Sequence, residues 1–211
     1  MIKRTLFFLL LVWSSRSLAQ TLRVAVAANA QFVMEPLREA FQKQSGVQIE
    51  SIVSSSGKLT TQIQQGAPFD VFLSADMEYP NALHQQGLTT SQPIVYAYGS
   101  LVLWTLSELP LSADLRVLQN PLVRHIALAN PETAPYGAAA VSLLKYRKML
   151  ASLQPRLVYG ESIAQVNQYV LSGAAEVGLT AKSVVLDPAL KGRGHWIDLP
   201  PPGYSPIAQG V

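Results

Sequence analysis

Two short polar stretches stand where an apolar, strand-like run gives way to a helix-like pattern. The first is Ala27-Ala28-Asn29-Ala30, after residues 22–27, and the second is Ser54-Ser55-Ser56-Gly57-Lys58, after residues 47–53. A helix N-terminus carries unpaired N–H groups and the positive end of the helix dipole. Hydroxyl and amide side chains placed there add donors of their own. Two such ends in one chain suit a small anion.

Nucleophilic or phosphate-cradling chemistry fits the serine stretch poorly. A P-loop needs Gly five residues before the Gly-Lys pair, where Ile52 stands, and Ser or Thr after the Lys, where Leu59 stands. A nucleophile elbow around Ser55 would need Gly at Val53. A serine-dependent hydrolase is the rival from another class, and Lys58 is its one nearby base. On spacing alone the serines could also be a capped loop, and Asn29 an N-cap. Asp70 and Asp76 read as structural, Asp76 as a helix cap. His84, His125 and His195 share no ligand spacing, so a metal site has little support. With no cysteine, thiolate metal sites, disulfides and an acylated lipoprotein anchor are excluded.

The elements that must position these groups alternate. Residues 22–28 are strand-like. Residues 31–44 are amphipathic, with Met34, Leu37 and Phe41 on one face. Strand 47–53, helix 58–65, strand 69–74 and a helix from Asp76 to Gln86 follow. That order predicts a mostly parallel sheet covered by helices. Residues 93–106 are β-rich without helical period and could cross between domains. A second set follows: strand 125–129, helix 136–150, strand 156–158, helix 163–172 and strand 175–180. Its strand-to-helix junctions carry Pro131 through Gly137 and Gly160-Glu161-Ser162-Ile163. Ligands of open α/β folds lie at the carboxyl ends of strands, so four such ends would build an interdomain cleft.

Lys3 and Arg4, the apolar stretch 5–13 and Ser17-Leu18-Ala19 read as a cleavable secretory signal, residues 1–19. That segment holds three basic residues and no acidic one, which accounts for the whole formal charge of +3. A near-neutral mature chain argues against nucleic-acid binding. At 49% hydrophobic and 14% charged residues, the chain can bury a substantial core. It stops at Val211 inside a strand-like stretch and reads as truncated.

Four segments together resemble the periplasmic molybdate-binding proteins of ABC transporters: Ala27-Ala28-Asn29, Ser54 through Leu59, Gly66-Ala67-Pro68-Phe69-Asp70 through Ser74-Ala75-Asp76, and Asn130 through Gly137. The resemblance covers essentially the whole chain after the signal. It implies an α/β, two-lobed periplasmic-binding-protein fold of type II, with mixed, mostly parallel sheets and the ligand in the interdomain cleft. Lobe 1 would span 20–98 with 204–211 returning to it, and lobe 2 would span 99–203. A further C-terminal segment of the family is absent.

The resemblance also implies the site. Asn29 and Ser56 would serve from lobe 1, and Tyr136 and Ile163 from lobe 2, Ile163 through its backbone N–H. Any metal would be met only through molybdate oxygens. Many members carry a tyrosine where this chain has Ala181, and a subset moves it to the position of Tyr136. The implied function is capture of molybdate or tungstate in the periplasm and delivery to an inner-membrane ABC permease, without a reaction or cofactor, by a monomer that binds no nucleic acid. Another tetrahedral oxyanion such as sulfate or phosphate is the rival within the class. A permease-free sensor is a third reading.

Overall fold

A computed structural model describes residues 21–211. The secretory-signal reading of residues 1–19 lies outside them. β1 (Thr21–Ala27) runs into a 3-10 turn, Ala28–Ala30, and then α1 (Gln31–Ser45). β2 (Gln48–Ser54), α2 (Ser56–Gln64), β3 (Val71–Leu73) and α3 (Glu78–Gln85) follow. β1 lies between β2 and β3 and is parallel to both. Such strands need right-handed helical crossovers, and α1 and α2 supply them.

β4 (Val95–Gly99) and β5 (Leu101–Thr105) are separated by Ser100 alone. The second unit adds β6 (Ile126–Ala129), α4 (Pro135–Tyr146), α5 (Leu150–Leu153) and β7 (Leu157–Gly160). It continues with α6 (Ile163–Leu171), β8 (Val177–Ala181), α7 (Lys182–Val185) and β9 (His195–Asp198). Its five strands are ordered β7-β6-β8-β5-β9. β6 is parallel to β7 and β8, while β5 is antiparallel to β8 and β9. β10 (Ile207–Gly210) pairs antiparallel with β4. It also reaches the first unit, where Ser74 N donates to Gly210 O at 2.8 Å. The two connections β4–β5 and β9–β10 thus run side by side from one unit to the other.

The larger core lies around the five-stranded sheet, with Leu101, Leu103, Trp104, Ile126, Leu128 and Leu144 fully buried. The core of the first sheet is small: Val24, Val26, Ala30 and Met34. Here the structure corrects the expected face of α1. Met34 is buried, but Leu37 is 52% and Phe41 39% exposed, because the apolar stripe is wider than the strip the sheet covers. The helix expected over 136–150 ends at Tyr146. Lys148 takes a positive φ of 55° there, which stops the helix before the short α5. β9 has no counterpart in the sequence reading; its alternation of His195, Trp196, Ile197 and Asp198 is too short to show a period.

Candidate functional site

The carboxyl ends of β1, β2 and β6 and the N-termini of α2, α4 and α6 converge on one cavity. Ala27, Ala28, Asn29, Ser55, Ser56 and Ala75 line one side of it, while Ala134, Pro135, Tyr136 and Ile163 line the other. All four residues singled out from the sequence are therefore together. Each is almost wholly withdrawn from solvent, Asn29 at 2%, Ser56 at 1%, Tyr136 at 2% and Ile163 at 3% exposure.

Each arrives by a local rule. Asn29 sits in the turn after β1 and does not cap α1, whose N-cap is Ala30 without a side-chain bond. Its Nδ2 instead donates to Gln209 Oε1 at 2.8 Å. Ser56 opens α2, and its Oγ accepts from Ala75 N at 2.9 Å. An accepted bond leaves the Ser56 O–H free to donate elsewhere. α4 begins with Pro135, which has no N–H, so Tyr136 carries the first available backbone donor of that helix. Ile163 opens α6 behind an extended Ser162, and its N–H is one of the orphan donors of a helix start.

Ser55, read from the sequence only as part of the serine stretch, also lines the cavity, and Gln209, which sequence reasoning did not single out, lies behind it, bonded to Asn29 and Tyr136 and to Tyr96. Ser55 stands at the N-cap of α2, yet makes no capping bond, and its Oγ is buried with no partner. An unpaired buried hydroxyl is costly, about 1–3 kcal/mol, and such a group facing a cavity is a donor awaiting an acceptor. Gln209 and Tyr96 come from the paired connecting strands, Tyr96 OH donating to Gln209 Oε1 at 2.9 Å. The one available signal for Gln209 was a lone amide inside an apolar strand.

Polar contacts close the cleft around the cavity. Gly57 N donates to Thr133 O at 2.9 Å, Tyr79 OH to Glu132 O at 3.1 Å, and Ser183 Oγ to Asn29 O at 2.6 Å. Lys58 forms an ion pair with Glu161 on the facing side of the cleft. Both partners are about half exposed, so the pair contributes about 0–1 kcal/mol.

The electrostatics are those of neutral donors. Among the described residues no carboxylate, imidazole or ammonium group lines the cavity. His84 lies 2.8 Å from Thr89 Oγ1, His195 lies 2.8 Å from Leu109 O, and His125 faces Glu176. Among the described residues no histidine thus stands beside the serine stretch, and its Lys58 is taken up by the ion pair with Glu161. Asp70 accepts from Arg23 N at 2.7 Å and Asp76 from Tyr79 N at 3.2 Å, both structural roles. Among the described residues no group of three His, Cys, Asp or Glu is placed to hold a metal ion. Burial pushes the Tyr136 hydroxyl well above the ordinary phenol range and Tyr96 up to about 12. A raised tyrosine stays protonated and neutral, hence a donor, throughout the physiological range.

Two α/β units joined by paired strands and closing on a buried, donor-lined cavity define a two-lobed binding protein of the periplasmic type II class. The chain belongs to the family of bacterial extracellular solute-binding proteins, which matches residues 22–211. It is 39% identical over 193 residues to the molybdate-binding protein ModA of Azotobacter vinelandii, covering 90% of this chain and 76% of that protein. It is 37% identical to the molybdate-binding protein ModA of Rhodobacter capsulatus, covering 88% of this chain and 72% of the relative. The solved structure of the Azotobacter vinelandii periplasmic molybdate-binding protein superposes with a TM-score of 0.83 at 37% identity, over 90% of this chain and 83% of that one. As a solute-binding protein, the chain is not an enzyme.

Proposed function

We propose that this protein captures molybdate or tungstate in the periplasm and passes it to an ABC permease in the inner membrane. The observation that carries the reading is the convergence of Asn29, Ser56, Tyr136 and Ile163, with the unpaired Ser55 hydroxyl, on one closed and uncharged cavity. The names of the similar proteins from Azotobacter and Rhodobacter support the choice of oxyanion. In this reading residues 20–98 with 204–211 form one lobe and 99–203 the other. Asn29 and Ser56 serve from the first, Tyr136 and the Ile163 N–H from the second.

A dianion is stabilised here by dipoles already pointed at it, in a site from which water is excluded. Charge-assisted hydrogen bonds of this kind are about twice as strong as neutral ones. Hydrogen phosphate carries a proton that wants an acceptor such as a carboxylate, and the lining holds none. Sulfate shares the charge and shape of molybdate but is smaller, so it would leave donors out of reach. The ring is held at its spacing by the contacts that close the cleft.

Calorimetric titration with molybdate, tungstate, sulfate and phosphate in turn tests the reading. Molybdate and tungstate are expected to bind, with sulfate and phosphate weaker by about 100-fold or more, a difference of about 2.7 kcal/mol. Tighter binding of sulfate or phosphate would overturn the choice of ligand. Ester turnover, if found, would revive the hydrolase.

Affinity for molybdate is also expected to stay flat from about pH 6 to 8.5, far below the value of about 12 for Tyr96. Tyr136, raised in the same direction by burial, keeps its proton across that window. The same titration repeated across pH, at low and moderate salt, checks this. A tenfold fall on the alkaline side would reveal a cationic ligand near the site.

A further inference from the structure

Gln209 lies on β10, in the strand pair that connects the two units, and is 7% exposed. Its side-chain amide sits at the centre of a four-residue network. Oε1 accepts from Asn29 Nδ2 at 2.8 Å and from Tyr96 OH at 2.9 Å. With both acceptor positions of the carbonyl oxygen used by donors, Nε2 is directed to the other side, where it lies 3.3 Å from Tyr136 OH. The contact is close enough that a Cβ at Gly99 on the neighbouring strand would overlap the Tyr136 hydroxyl. The glycine leaves room for the phenol tip between β4 and β10.

We infer that Gln209 is a positioning residue for the anion site, orienting the Tyr136 hydroxyl so that its hydrogen is offered to the ligand rather than to the protein. The inference rests on the oxyanion-binding function proposed above. A phenol oxygen that accepts a hydrogen bond from Nε2 has its own O–H left to donate. Were the amide reversed, two donors would face Oε1's present partners and the phenol would spend its hydrogen on Gln209. Tyr96 holds the amide in the useful sense, because its short bond to Oε1 competes with a longer 3.4 Å contact to Ser74 O. The same amide anchors Asn29, so a donor from each unit is referenced to one group on the connecting strand. Closure of the units and orientation of the donors are thereby the same event.

A double-mutant cycle read by calorimetry with molybdate tests this, using the purified chain and the variants Gln209→Leu, Tyr136→Phe and both together. Gln209→Leu is expected to weaken molybdate binding about 10- to 100-fold. In the Tyr136→Phe background the same change is expected to cost several-fold less, because the hydroxyl it orients is already gone and only its hold on Asn29 is left to lose. The unfolding temperature of the ligand-free variants is measured alongside, and Gln209→Met, closer in length, replaces the leucine variant if that one does not fold. Equal losses in both backgrounds, or an affinity within twofold of the unmodified chain for Gln209→Leu, would overturn the positioning role while leaving the function standing. An unmodified chain with no affinity for any oxyanion would overturn the function and this inference together.

Discussion

Gly57→Val is expected to weaken molybdate binding by about 5- to 150-fold, the equivalent of about 1–3 kcal/mol of overpacking. Gly57 is in the first turn of α2, one residue after Ser56, at an ordinary helical φ, so its backbone does not require glycine. Its role is close approach. A Cβ there would stand 2.8 Å from Tyr79 OH, 3.0 Å from Thr133 Cα and 3.1 Å from Thr133 Cβ. Thr133 lies in the loop before α4 and receives the Gly57 N–H across the cleft. Added bulk therefore holds the two units apart and separates the donors of α2 from those of α4 and α6. Each unit keeps its own core, so the ligand-free unfolding temperature should change little. Isothermal titration and a thermal scan measure the two quantities. Unchanged affinity would mean that the closed arrangement is not the binding form.

Ser56→Ala is expected to cost about 1.5–3 kcal/mol, the value of a hydrogen bond to a charged group, and so about 10- to 150-fold in affinity. The Ser56 oxygen already accepts from Ala75 N, so the hydroxyl hydrogen has the cavity as its outlet. Losing the hydroxyl also leaves the Ala75 N–H without that acceptor, which makes the upper part of the range the expected one. Lys58→Ala, two residues away, is the control. Its ion pair with Glu161 is half exposed and screened, so its loss should cost no more than about fivefold, or about 1 kcal/mol. If the lysine variant lost more affinity than the serine variant, binding would depend on charge rather than on neutral donors.

Much of the site was legible because strand-to-helix junctions announce themselves locally. Small polar residues after an apolar run mark Ala28-Asn29, Ser55-Ser56 and Ser162-Ile163, a proline turn marks Pro135-Tyr136, and the structure brings all four junctions to one cavity. The departures have an equally local cause. Leu37 and Phe41 follow the helical period that usually signals burial, but a period says only that residues share a face, not that anything covers it. Ser55 and Ser56 are neighbours of the same type. Which has its oxygen satisfied by Ala75 N, and which is left unpaired, depends on the bend after β3, 19 residues beyond Ser56.

By itself, then, the order of residues determined which elements form and which ends carry donors, since capping chemistry, periodicity and turn residues act over a few positions. Only the tertiary structure decided what those donors share. Gln209 is 180 residues from Asn29 and 73 from Tyr136, yet one amide touches both. Lys58 meets Glu161 and Gly57 meets Thr133 across similar gaps in the chain. Such contacts follow from how two sheets are hung on one pair of connecting strands. That geometry is fixed by the pairing of β4 with β10 and of β5 with β9, strands far apart in the chain, and no local spacing encodes it.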